Sequence, residues 1–342
     1  MNDRVSLLRT IFRLHMKSLL ITNKILNWYD INKRSLPWRI KTSAKKKEYY
    51  TLVSEFMLQQ TQVATVIPYF NRFIKNIPDL ETLAEFQEEK LIKLWEGLGY
   101  YSRVKNLKKT AKIITTDFNK KIPDDFEKLK TLPGIGDYTA SAILAIAFNK
   151  PFIPLDGNIE RVLKRYFYLK KASQISKDYL IKKKKLLGVS KRSSDYAQAL
   201  MELGALICKP KNPSCTECPL INSCKSFLKK DFVLTKIKKI NKSKYFELSI
   251  IKKNNKYLLI KNNKFNFLKN FIIFPMIETK ASSKFKKDLN IKISNMTMYI
   301  QIKFGNFYTN TSNAIWIDPE KLNNYTLPTF TKKIFRHLKN KI

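Results

Sequence analysis

Two acidic residues set among apolar neighbours, and four cysteines set close together, carry most of the chemistry this sequence can offer. Glu55 stands inside Leu52-Val53-Ser54-Glu55-Phe56-Met57-Leu58, so its carboxyl must face either solvent or a pocket. Asp156 stands in Pro154-Leu155-Asp156-Gly157-Asn158, near the start of a helix, and Gly157 leaves its approach free of side chain. Carboxyl groups in unlike environments suit cleavage of a glycosidic bond. One holds a proton for a poor leaving group while the other stays ionised beside a cationic sugar. Each residue also has a plain reading, Glu55 as a helix-surface glutamate and Asp156 as a helix cap.

Cys208, Cys215, Cys218 and Cys224 leave six, two and five residues between them. Four thiolates so close can wrap one metal centre. Zinc modules usually set two C-x-x-C pairs apart, whereas only Cys215 and Cys218 form such a pair here. Iron-sulfur clusters take four thiolates in assorted compact spacings, so the pattern favours a cluster, with zinc as the competing reading. Lys209, Lys211 and Lys225 make this stretch basic, which suits phosphate contact.

Two further motifs look built for a polyanion. Pro133-Gly134-Ile135-Gly136 can take positive φ at both glycines, turning one helix sharply into the next and pointing backbone N–H groups at a phosphate. It is no dinucleotide fingerprint, since Thr139 sits where a third glycine is wanted. After it, Asp137 can cap an apolar helix through Ala147. Gln59-Gln60-Thr61-Gln62 offers neutral side chains that reach base edges without a charge to desolvate.

The composition agrees. The 342 residues carry a formal net charge of +39, which favours nucleic acid or an anionic membrane surface, although lysine, asparagine and isoleucine are abundant throughout and part of the charge is compositional. No apolar run approaches a membrane span. Arg13 and His15 interrupt any signal-peptide core in residues 1–22, so residues 1–16 read as an extension, with true initiation at Met16 and a cytoplasmic location expected. His15 and His337 read as solvated helix histidines.

The elements that must position these residues are mostly helices. Helical spacing runs from 17 to 30, breaks at Leu36-Pro37-Trp38-Arg39, and resumes over 50–73 after a lysine-rich loop at 41–48. Shorter helices are expected at 79–86, 88–95, 103–118 and 124–130, with Gly97-Leu98-Gly99-Tyr100-Tyr101 as a loop. Beyond about residue 230 the texture changes to alternation. Runs 245–251 and 256–260 predict a hairpin about Asn254-Asn255, 298–304 and 314–317 predict strands, and 282–289 and 330–339 predict helices. After Lys225 the only glycine is Gly305, so a Nudix hydrolase loop is absent.

The motifs LPWR (36–39), SEFMLQQTQVATVIPYF (54–70), WEGLGYYSR (95–103), LPGIGDYTA (132–140) and LDGNIERV (155–162), with the cysteine spacing, resemble the helix-hairpin-helix DNA glycosylases that hold a 4Fe-4S cluster. Within that group they resemble the MutY-type A/G mismatch adenine glycosylases, over about residues 17–228. The resemblance implies a mainly α catalytic region, a six-helix barrel with the helix-hairpin-helix over 41–149, and an iron-sulfur domain from 17–40 and 150–228. It further implies a linker at 229–244 and a smaller α+β Nudix-like domain over 245–342.

By the same resemblance, Glu55 is the general acid and Asp156 stabilises the oxocarbenium-like sugar, with Tyr138 and Asn158 ordering the site. Trp38 and Arg39 match the adenine pocket. Leu58, Gln60 and Tyr100 match residues that wedge beside the orphaned base, with Thr61 beside them, and Gly134 and Gly136 grip phosphate. The four cysteines hold the cluster. The implied partner is double-stranded DNA with A:8-oxoguanine or A:G mispairs, bound by a monomer without a membrane. Tyr138 stands where endonuclease III-like enzymes place a nucleophilic lysine, so base removal without strand cutting is expected. Such a glycosylase/lyase and a catalytically inactive DNA-binding module are the alternatives. Two departures stand out. A few extra residues separate Arg39 from Glu55, and the Phe-Ser-His turn that senses 8-oxoguanine is reduced to Phe304-Gly305-Asn306, which keeps only the Phe.

Overall fold

The computed structural model describes residues 18–234, 242–293, 296–305 and 314–339. The extension 1–16 with Met16 and His15, linker residues 235–241, and Asn306 lie outside the described residues. Two compact units divide the chain, one of Met1–Gln87 with Ser102–Ile237, the other of Glu88–Tyr101 with Lys238–Ile342.

The first unit is helical, with α1 over 18–32. It continues with α2 (Ala44–Leu58), α3 (Val63–Asn76), α4 (Leu80–Glu85), α6 (Ser102–Asp117), α7 (Phe126–Thr131) and α8 (Asp137–Ile146). Then come α9 (Gly157–Phe167), α10 (Lys177–Lys184), α11 (Ser193–Glu202) and α12 (Lys225–Leu228), while α5 (Glu88–Leu94) belongs to the second unit.

Helix α2 is exposed at its start and buried in its C-terminal half. Ser43 caps its N-terminus by accepting from the Lys46 N–H, and every residue from Thr51 to Met57 is buried. Helices α3, α6 and α8 surround it. Small residues let α8 come in closely, and Ala140, Ala142, Ile143, Leu144 and Ala145 are all buried. A second core joins distant stretches of sequence, with Ile25 and Tyr29 of α1 packed among Ile159, Leu163, Leu200, Leu203 and Leu220.

The expected single helix over 50–73 is two, broken at Gln59–Gln62, where Gln60 takes φ 57°. The reason is Arg103, buried on α6. Its Nη1 donates to the carbonyls of Phe56, Met57 and Gln59 at 3.2, 2.6 and 2.7 Å and to Thr61 Oγ1 at 3.1 Å, capping the carbonyl end of α2. The glycine hairpin also differs from expectation. Gly134 has φ 83°, but Gly136 has φ −103°, so only one left-handed residue is used. Gly136, not Asp137, is the N-cap of α8. Asp137 instead pairs with Lys177 at 2.7 Å and Lys130 at 3.4 Å.

In the second unit, one sheet has the order β5 (Met276–Thr279), β1 (Lys242–Ile250), β7 (Met296–Phe304), β6 (Leu289–Ile293), with β1 and β7 parallel. The other joins β2 (Lys252–Lys253), β3 (Lys256–Lys261) and β4 (Ile272–Ile273), with β8 (Ala314–Ile317) on β3. The turn at Asn254 and Asn255 forms with both residues left-handed, but it joins β2 to β3, because β1 pairs with β5 and β7 instead. Residues 282–289 are not a helix. Leu289 already opens β6 against Ile300, and Phe285 packs edge-on against Tyr245.

Helix α13 (Thr329–Lys339) buries Phe330, Ile334, Phe335 and Leu338 in this core. His337 lies on it but is half-buried rather than solvated, its Nε2 without a partner among the described residues. No described helix is long and apolar enough to cross a membrane.

Gly134 is where the hairpin is tightest. A Cβ there would come within 2.9 Å of both Asn106 Cβ and the Phe56 ring. Gly134→Ala is expected to cost about 1–3 kcal/mol in urea unfolding, and Gly136→Ala, at an open position with ordinary φ, only about 0.5 kcal/mol.

Candidate active site

A cavity of about 580 Å³ opens in the first unit, between α2, the 3-10 turn Pro37–Arg39, α8, α9 and α11. Its walls bring together Glu55, Asp156, Tyr138, Asn158, Trp38, Arg39, Leu58 and Thr61. Gln60, Tyr100, Gly134 and Gly136 are not among its lining residues. Gln60 is exposed in the α2–α3 turn, and Tyr100 is 43% exposed in the second unit.

Glu55 is 4% exposed. Burial pushes its pKa up to about 7, the charge of Asp156 adds to the shift, and the Tyr138 hydrogen bond and Arg39 oppose it. The Tyr138 hydroxyl donates to Glu55 Oε2 at 2.9 Å. That bond occupies Oε2 and leaves Oε1 as the oxygen able to carry the proton. Burial and the two carboxylates raise the phenol's own pKa well above its ordinary value.

Asp156 is the N-cap of α9. Its Oδ1 accepts from the Ile159 N–H at 2.7 Å and Oδ2 from Asn158 Nδ2 at 2.9 Å. The helix terminus does not make it more acidic than a surface aspartate. Burial raises its pKa, and the Ile159 N–H and the Asn158 amide only partly offset this. Asn158 is held in turn by Arg161, whose Nη2 donates to Asn158 Oδ1 at 2.7 Å and to the Gly204 carbonyl at 2.6 Å. Gly204 permits the approach, since a Cβ there would fall 2.6 Å from Asn158 Cβ.

Several lining residues were not singled out from sequence. Glu202 is fully buried and pairs with Arg34 through two bonds of 2.7 and 2.9 Å and with Arg39 at 2.8 Å. Gln198 stands one turn earlier on α11. Glu202 carried the same signal as Glu55, a lone acid in an apolar helical run, Leu200-Met201-Glu202-Leu203. Trp38 is fixed edge-on against Phe70 at 5.3 Å.

The four cysteines form no disulfide and lie at the edge of the second core, against which Cys208, Cys218 and Cys224 pack. Arg165 secures the loop, donating to Cys208 Sγ at 3.4 Å and to the Lys209 carbonyl at 2.6 Å. The thiols lie near enough to raise one another's pKa values, and burial above all pushes Cys218 up to about 12. Among the described residues no three Cys, His, Asp or Glu side chains are grouped to hold a single metal ion. The donor set, four soft thiols and basic neighbours, fits the cluster.

The helical fold, the glycine hairpin and the carboxylate-lined cavity all belong to the first unit. Residues 53–185 match the family described as HhH-GPD superfamily base excision DNA repair protein. Among solved structures, a thermostable thymine-DNA glycosylase is similar with a TM-score of 0.55 at 26% identity, covering 63% of this chain and 98% of that one. An endonuclease III–DNA complex shares the fold, with a TM-score of 0.51 at 22% identity over 62% of this chain and 97% of that one. The adenine DNA glycosylase of Buchnera aphidicola subsp. Baizongia pistaciae is 37% identical over 95% of this chain and 98% of its own length. That of Mus musculus is 40% identical over 60% of this chain and 41% of its own. The chain belongs to the adenine DNA glycosylase family and is a base-excision repair enzyme.

The raised Glu55 pKa has a consequence for stability. Between the ordinary value of 4.5 and about 7 the folded protein keeps a proton that the unfolded chain has lost. The penalty is absent below pH 4.5 and complete above 7. Glu55→Gln is therefore expected to add on the order of 3 kcal/mol to the unfolding free energy at pH 8 and nothing at pH 4, read from urea denaturation at both pH values.

Proposed function

We propose that this enzyme removes adenine mispaired with 8-oxoguanine or guanine in double-stranded DNA, as a monomer and by hydrolysis alone. The observation that carries this reading is Glu55, a buried carboxyl with a pKa near 7 whose Oε2 accepts from Tyr138 in the cavity that also holds Asp156. Near neutral pH such an acid can still deliver its proton to the adenine ring of a flipped nucleotide. Asp156 then faces the cationic sugar and assists water. Trp38 and Arg39 bind the base, Leu58, Gln60, Thr61 and Tyr100 fill the space it leaves, and the hairpin at Gly134 and Gly136 takes phosphate.

Tyr138 lines the cavity and, among the described residues, no lysine does, which supports hydrolysis without strand scission over the lyase alternative. Intact acids in one cavity argue likewise against an inactive binding module. Cys208, Cys215, Cys218 and Cys224 hold a 4Fe-4S cluster in a domain made from 17–40 and 150–228, and native protein is expected to be brown.

Duplexes containing A:8-oxoguanine, A:G and thymine glycol distinguish these readings. The expected result is a break at the adenine only after hot alkali, with a single-turnover rate that falls as pH rises through about 7. Glu55→Gln should slow adenine release at least ~100-fold. A break at the adenine in untreated samples, or undiminished release by the variant, would overturn the proposal.

A further inference from the structure

Glu96 lies outside the cavity, yet its side chain is only 9% exposed. Its Oε2 pairs with Lys93 at 2.7 Å, and its Oε1 pairs with Lys332 at 2.7 Å and accepts from the Leu327 N–H at 3.3 Å. Lys93 also donates to the Asn323 carbonyl at 2.8 Å. One carboxylate therefore ties the residues after α5 to the approach and first turn of α13. Burial alone would raise the pKa of this group, but the two lysines hold it below the ordinary value. A buried charge of this kind is costly to leave unpaired, so removing one partner is felt by the others.

The residues that follow Glu96 form an over-determined turn. Gly97, Gly99 and Tyr100 all take positive φ, at 100°, 74° and 48°. Trp95 Nε1 donates to the Gly99 carbonyl at 3.1 Å, and the Tyr101 ring packs on Phe271 at 4.3 Å between centroids. Tyr100 is thus bracketed by two residues, Glu96 and Tyr101, that each contact the C-terminal part of the chain. Left-handed φ at a tyrosine is unfavourable by itself and persists only where its surroundings impose it.

We propose that Glu96 is a positioning residue through which the C-terminal part of the chain holds Tyr100 in its left-handed backbone conformation. This rests on the reading of Tyr100 as a wedge. A purely structural Glu96 would affect melting temperature and nothing else. A positioning Glu96 affects base flipping, and only while Tyr100 is present.

The test uses the full chain and a duplex carrying 2-aminopurine in place of the adenine opposite guanine, whose fluorescence rises on unstacking. Glu96→Gln is expected to lower the bound-state fluorescence gain and to weaken binding about five-fold, with the pH profile of adenine excision unchanged. Lys332→Gln, which leaves Lys93 on the carboxylate, should do the same more weakly and covers the case of a poorly folding Glu96 variant. In the Tyr100→Ala background the Glu96 substitution should add nothing. Full additivity there, or a lowered melting temperature with wild-type fluorescence, would overturn the proposal alone. A Tyr100→Ala protein that flips the base normally would overturn the wedge reading and the proposal with it.

Discussion

A carboxyl group holds its proton near neutral pH only where water is largely withheld, and the first unit buries Glu55 to 4% exposure in the wall of its cavity. Helix α2 could have been a surface helix, but α3, α6 and α8 enclose it, and Glu55 lies among Leu52, Val53, Phe56 and Met57, none more than 1% exposed. Enclosure alone would leave two problems. The carboxyl needs a hydrogen-bond partner that does not strip its proton, and the carbonyls at the end of α2 need donors. Tyr138 meets the first, since a phenol can donate without bringing a positive charge. Arg103 meets the second by binding three terminal carbonyls, and in doing so it fixes the turn that carries Gln60 and Thr61.

Helix α9 extends this arrangement to the cysteines. Asp156 caps it, Asn158 sits in its first turn, and Arg161 and Arg165 follow at helical spacing along one side. Arg161 links Asn158 to Gly204 and, through Nε, to the Cys208 carbonyl at 2.6 Å, while Arg165 binds the cysteine loop itself. Loop and carboxylate are therefore attached to the same rigid rod. A disturbance at Cys208 can reach Asp156 through the Arg161 guanidinium and the Asn158 amide, without the backbone of α9 having to move.

Much of this was legible in the sequence because it depends on residue type and local spacing. Glu55 and Asp156 stood out as acids among apolar neighbours, and short-range turn chemistry marked the glycine hairpin and the Asn254-Asn255 turn. What was hidden depends on partners distant in sequence. The break after Leu58 is imposed by Arg103, 42 residues beyond Thr61, and nothing local distinguishes Gln59–Gln62 from a polar helix face. Asp137 looked like a cap, but the two lysines that claim it come from α7 and α10. The pairing of β1 with β7, some 50 residues on, could not be read from alternation, which gives a strand its faces but not its neighbour. Glu202 had the same local signal as Glu55 and was passed over because its partners, Arg34 and Arg39, lie at the other end of the first unit's sequence.

Those two glutamates explain how one cavity can offer both a proton and a fixed cation. Each is buried in an apolar helix, at 4% and 0% exposure, and each would be costly to ionise alone. What differs is the partner. Glu55 meets a neutral phenol, so desolvation dominates and its pKa rises to about 7. Glu202 meets two guanidinium groups, one through two hydrogen bonds, a geometry that offsets the loss of water by charge and direction together. The pairing also restrains Arg39, keeping the cation that opposes the Glu55 shift bound to a second carboxylate. A freely swinging arginine could close on Glu55 and ionise it. Glu202 thus has a stake in the proton that Glu55 holds, although the two carboxyls never share a hydrogen-bond partner among the described residues.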